Sequence, residues 1–214
     1  MEADTAARQV FSLFPTPVMR VEKVIDAGQV RALREGLGGA GSLANQRSDE
    51  LQHSRILGAD DHPELLEPLA RRMGPHIVEL GSLLFGERLQ WGIKEMWVNT
   101  MATGGRQAVH NHANCFISGV LYLSDCDASA NTVFLRNLGG RDYVFGNTHA
   151  RAAVGAFNAD KWLGPPPAAG DLLLFPSYLL HEVPQNRGEP RVTLAFNAIP
   201  QRLDAWGYSI SFSS

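Results

Sequence analysis

His110 and His112 stand two residues apart, and His181 follows an apolar run and a turn at Pro176-Ser177. In an extended chain, residues i and i+2 share a face, so two imidazoles at this spacing reach one ion. A third ligand has to come from elsewhere, and His181 is the best placed of the remaining histidines. A metal held by three side chains on one face leaves positions open for a chelating co-substrate and dioxygen. The same pair also suits a polar groove without a metal, and a three-histidine set would equally take zinc. His53, His62, His76 and His149 lie in expected loops or helices without partners at ligand spacing, and only His149 stays in reserve. Arg191 comes ten residues after His181, with Thr193 on the same strand face. A buried guanidinium is costly unless paired. It either grips a carboxylate bidentately, with the Thr193 hydroxyl beside it, or bridges to Glu182, Glu189 or Asp171.

The elements that must position these residues can be read from periodicity. From Trp91 to Met101 the pattern has period two, which places Trp97, Asn99 and Met101 on one strand face. The run from His110 to Leu123 reads as one extended segment, with residues 110, 112, 114, 116, 118, 120 and 122 on one side. "NTVFLRN", "GDLLLFP" and "RVTLAFNAI" are further strands. In the last, Arg191, Thr193, Ala195 and Asn197 share one face, and Val192, Leu194, Phe196 and Ala198 the other. Upstream, Asp26 caps a helix carrying Val30, Leu33 and Leu37, which Gly38 and Gly39 end. From Pro63, Leu65, Leu69, Met73, Ile77, Leu80 and Leu84 form a helical stripe, and Gly74-Pro75 predicts a kink or two successive helices. Pro15 and Pro17 predict an edge position for the opening strand. Residues 38–60 read as loop, as does the long segment 137–168, a length typical of lids and binding loops.

Together these residues resemble the Fe(II)- and 2-oxoglutarate-dependent oxygenases. The resemblance rests on "HNH" at 110–112, "GDLLLFPSYLLHEV" through His181, "RVTLAFN" from Arg191 and "SGVLYLS" with Tyr122. The opening "LFPTPV" and "WVNTM" resemble a small bacterial group within that family. The resemblance implies a mainly β chain folded as a double-stranded β-helix, or jelly roll, with the N-terminal helices packed outside. It implies Fe(II) on His110, His112 and His181. It places 2-oxoglutarate as co-substrate, with its distal carboxylate on Arg191 beside Thr193 and Tyr122. Asn99 and Asn114 become contacts to the keto acid, and Trp97, Asn197 and Arg136 contacts to substrate, with Gln107 at the mouth. One departure matters: His112 stands where the family carries a carboxylate, which leaves the site one unit more positive. Asp125 and Asp127 lie too far along the strand to replace it. Two alternatives follow, a three-histidine cupin-type dioxygenase without 2-oxoglutarate and a non-catalytic jelly-roll binding module with a metal.

Composition bounds the rest. The chain has 214 residues, 44% hydrophobic and 19% charged, with a formal charge of −3. That predicts one domain, 1–214, with a helix-rich layer over 1–88 and the site-bearing core over 89–214. The charge argues against non-specific nucleic-acid binding, and no apolar run approaches the ~20 residues of a membrane helix. Two cysteines without a basic-then-apolar leader predict a reducing, cytoplasmic setting. The expected partner is a small-molecule or peptide substrate, with a homodimer as the assembly common in such folds.

Overall fold

In the computed structural model, the described residues are 9–38, 43–44, 50–58, 60–138, 147 and 149–212. The period-two stretches become β4 (Trp91–Met101), β5 (Gln107–His110), β6 (Ile117–Tyr122) and β7 (Val133–Leu135). They continue as β8 (Lys161–Leu163), β9 (Leu172–Pro176), β10 (His181–Val183) and β11 (Arg191–Pro200). Upstream lie β1 (Met19–Val21), α1 (Ala27–Leu37), β2 (Leu43–Ala44), β3 (Leu51–His53) and α2 (Pro63–Phe85). A hairpin of β12 (Arg202–Ala205) and β13 (Tyr208–Ser211) follows the last core strand. The strands form a seven-stranded antiparallel sheet, β1-β9-β6-β11-β4-β3-β2, and a four-stranded one, β5-β10-β7-β8. This is the expected jelly roll.

The two faces of β11 explain the packing. Leu194, Phe196 and Ala198 join Leu121, Leu172, Leu174 and Val98 under the helices. Helix α1 buries Val30, Leu33 and Leu37 there, and α2 buries Leu69, Met73, Ile77 and Leu80. Each such side chain contributes roughly 1.5–3 kcal/mol on burial. The other face of the large sheet turns toward the small sheet, where Tyr122, Phe134, Leu173 and Phe175 form a second cluster. Asp26 caps α1 as expected, accepting from the Gln29 amide at 2.9 Å in a capping box. Strand β1 takes the expected edge position but begins at Met19, after both Pro15 and Pro17, so the prolines lie outside the ladder. Its inner side is tied down by Asp171, buried at the start of β9, which accepts from Arg20 at 2.6 Å and from the Lys23 and Ala168 amides.

Four expectations change. Helix α2 runs unbroken past Gly74-Pro75, because Pro75 lies on the exposed face where water can solvate the carbonyl left without a donor. Within 38–60, β2 and β3 extend the large sheet beyond β4, while 39–42, 45–49 and 59 lie outside the described residues. Residues 110–123 are not one strand: β5 stops at His110 and β6 begins at Ile117, with Asn114 at φ 56° in the bend between. Within 137–168, β8 pairs with β7, while 139–146 and 148 lie outside the described residues. Among the described residues no helix is long and apolar enough to cross a membrane.

Candidate metal centre

Two of the three imidazoles come from the small sheet. His110 ends β5 and His181 begins β10, and the two are direct cross-strand partners. The third, His112, lies beyond the end of β5, its backbone N–H pinned to Ser177 O at 3.0 Å. The ring centroids are 4.2 Å apart for His110–His181 and 5.2 Å for both pairs involving His112. One nitrogen from each of the three lies within 4.8 Å of the others.

The tautomers are fixed by oxygen acceptors. His110 Nδ1 lies 2.8 Å from Ala108 O, and His181 Nδ1 lies 2.9 Å from Leu179 O. A carbonyl only accepts, so each Nδ1 carries the proton and each Nε2 presents a lone pair. On His110 that nitrogen faces the Gln107 side-chain amide at 3.2 Å. His112 Nδ1 lies 2.9 Å from Asn197 Oδ1. Burial, reinforced by the neighbouring His110, lowers His181 to about 3 and His112 to about 4. Both rings are therefore neutral at neutral pH, the form that ligates a metal. Three imidazole nitrogens converging from two strands and a loop fit a first-row divalent ion.

A second feature lies deeper along β11. Arg191 and Thr193 are almost wholly buried, and Arg191 Nε and Thr193 Oγ1 have no hydrogen-bond partner. The guanidinium sits 5.2 Å above the Tyr122 ring and beside the Cys126 thiol, which burial pushes up and Arg191 offsets only in part. None of the three carboxylates named as alternative partners is spent on it. Glu182 pairs with Lys161 at 2.8 Å, Asp171 pairs with Arg20, and no ion pair joins Glu189 to Arg191 among the described residues. A buried cation and an adjacent hydroxyl, both short of acceptors, fit a carboxylate-bearing ligand. Arg191 is close enough to His181 to help lower its pKa. The Tyr122 hydroxyl, 3.3 Å from Thr132 Oγ1, meets a neighbouring side chain, so its ring rather than its oxygen faces the guanidinium.

A cavity of about 320 Å³ opens onto His110 and His112, lined also by Trp97, Asn99, Asn197, Gln107, Glu95 and His53. Trp97 stacks on His112, with ring centroids 5.8 Å apart. Asn99 is buried opposite Thr193 in the β4–β11 ladder. Asn197 is committed to His112 rather than open to a substrate. Asn114 is exposed in the 111–116 bend and does not line this cavity. Arg136 is exposed, donates to Ala156 O and Phe157 O, and lines a different cavity with Trp162 and Tyr178. The bend after β5 and the turn after β7 carry those two side chains away. His149 is exposed and accepts from the Arg151 amide. Glu95 and His53 were not singled out by the sequence. Glu95 was recoverable, since it lies two residues before Trp97 on the same strand face. His53 was not, because its place depends on β3 pairing with β4 across more than forty residues.

Residues 95–197 match a family model described as "Putative 2OG-Fe(II) oxygenase". No curated protein matches the chain in sequence. Among solved structures, the chain is similar to HygX from Streptomyces hygroscopicus, crystallised with nickel and 2-oxoglutarate. The TM-score is 0.61 at 14% identity, over 86% of this chain and 83% of that one. It is similar to SnoN, a non-heme α-ketoglutarate-dependent epimerase from nogalamycin biosynthesis, at TM-score 0.58 and 18% identity, over 90% and 83%. It is also similar to a Pseudomonas putida prolyl-4-hydroxylase, at TM-score 0.54 and 16% identity, over 85% and 92%. At these identities the structures speak for the fold.

Proposed function

We propose, from the premise that this chain belongs over residues 95–197 to the 2OG-Fe(II) oxygenase family, that it hydroxylates an aliphatic C–H bond of a small molecule or peptide. The observation that carries the reading is the pair of orphaned polar atoms, Arg191 Nε and Thr193 Oγ1, buried on the strand whose Arg191 cation is felt by His181, one of three convergent imidazoles. His110, His112 and His181 would hold Fe(II), and Arg191 with Thr193 would hold the distal carboxylate of 2-oxoglutarate. When bound, these groups supply the oxidation: 2-oxoglutarate, dioxygen and R–H give succinate, carbon dioxide and R–OH.

The chain's own residues bind, orient and exclude water. Ala108 O, Leu179 O and Asn197 Oδ1 hold the three imidazoles with Nε2 inward. Phe175 packs against His181 with its ring centroid 4.7 Å away and keeps that side dry. The Tyr122 face supports the Arg191 cation and leaves its N–H groups for an anion. A dianionic co-substrate also offsets the extra positive charge left by a histidine in place of a carboxylate. The three-histidine dioxygenase that needs no 2-oxoglutarate gives no use to the buried Arg191 and Thr193 atoms.

Purified protein supplied with Fe(II), 2-oxoglutarate and dioxygen is expected to form succinate. His110→Ala and His181→Ala are each expected to abolish it. Succinate formation that persists in either variant overturns the ligand assignment.

A further inference from the structure

The carboxylate absent from position 112 is present one strand away. Glu95 on β4 is the cross-strand partner of Asn197 on β11, and Ser118 on β6 is its partner on the other side. Asn197 is 3% exposed, and all of its side-chain polar atoms are engaged. Asn197 Nδ2 donates to Glu95 Oε1 at 2.7 Å. Asn197 Oδ1 accepts from His112 Nδ1 at 2.9 Å and from Ser118 Oγ at 2.8 Å.

The direction of this chain is set by Glu95. A carboxylate accepts hydrogen bonds and does not donate them, so the amide must present its NH₂ to Glu95. Its oxygen is then turned to His112, which must answer with Nδ1–H. The lone pair of His112 is thereby placed on Nε2, facing the other two imidazoles. His110 and His181 reach the same state through backbone carbonyls, which cannot turn round. An amide can, and the Glu95 charge is what stops it. The negative charge also reaches the imidazole through the polarised amide. This raises the basicity of His112 as a hydrogen-bonded carboxylate does for other ligating histidines.

We propose that Glu95 and Asn197 form a positioning relay that fixes His112 as an Nε2 metal ligand, so that the family's missing carboxylate acts through an intervening amide. The relay rests on the metal-centre reading above and assigns functions to two residues that need never touch substrate.

Calorimetric titration of the metal-free protein with Co(II), with the visible spectrum of the cobalt-loaded form, tests it. Glu95→Gln and Asn197→Ala are each expected to weaken Co(II) binding about 10- to 100-fold and to change the cobalt spectrum. The double variant should bind no more weakly than the worse single one, as members of one chain do. Glu95 lies at the cavity rim, and its variant should keep the thermal midpoint of the metal-free protein, which separates the relay from a folding role. Co(II) affinities within twofold of the parent in both variants, with His112→Ala clearly weakened, would overturn the relay and leave the metal centre standing. An unchanged affinity in His112→Ala would overturn the metal centre and the relay with it.

Discussion

Arg191 is the residue whose energetics are most exposed to test. Its guanidinium is buried against an aromatic ring and a thiol, without a carboxylate partner among the described residues. Replacing a buried charge that lacks a partner by an apolar side chain of similar volume is often neutral or stabilising. Arg191→Met should therefore keep or raise the thermal midpoint of the metal-free protein. It should weaken 2-oxoglutarate binding at least about thirtyfold, taking ~2 kcal/mol as the lower cost of truncating one partner of a buried charge pair. A lower midpoint with an unchanged KM for 2-oxoglutarate would instead make Arg191 a structural residue. The histidines make a second residue-level prediction. His112 and His181 are held to about 4 and about 3 by burial, then by His110. An unfolded histidine titrates near 6.5. Below that pH the unfolded chain takes up protons that the folded chain refuses, so stability falls with falling pH. The metal-free protein should lose stability progressively from about pH 6.5 to about pH 3, the His112 part being complete by about pH 4, followed by denaturant titration at stepped pH. His112→Phe should flatten that slope.

At the scale of elements, the site depends on two strands lying close together. Gly119 on β6 faces Phe196 on β11, and a Cβ there would stand 2.2 Å from the ring. Phe196 is wholly buried between the sheet and the helices. Gly119→Ala must displace it, at about 1–3 kcal/mol of overpacking. Because β11 carries Arg191, Thr193 and Asn197, the variant should also raise the KM for 2-oxoglutarate, read by comparing denaturation midpoints with kinetics. Elements with strong local signals were legible in the sequence. The Asp26 cap, the α2 stripe and the alternating faces of β4 and β11 all follow from spacing. Elements whose existence depends on pairing were not legible. Strands β2 and β3 are two and three residues long: β3 forms on the edge that β4 offers, and β2 in turn on β3. The break between β5 and β6 was hidden because the residue types still alternate across it. His112 consequently reaches the centre from a loop, held by Ser177 O, and not from a strand as its spacing suggested.

At the scale of the whole molecule, the jelly roll separates two tasks. One face of the large sheet is spent on the helices, and the opposite face carries Arg191 and Thr193. The small sheet brings two imidazoles to that face, and the loop beyond β5 brings the third. The candidate site was legible where its chemistry calls for a residue type, as with the three convergent imidazoles and the buried Arg191. It was illegible where a side chain acts through a neighbour, as with Asn197, or is swung outward by a bend, as with Asn114 and Arg136. The central claim is that this three-histidine centre takes both Fe(II) and 2-oxoglutarate. The most direct measurement is an anaerobic titration of the Fe(II)-loaded protein with 2-oxoglutarate, followed by visible absorption. A charge-transfer band that grows, saturates at one equivalent per chain and is absent from the Arg191→Met variant is the predicted result. Iron bound at His110, His112 and His181 with no band at saturating 2-oxoglutarate would contradict it.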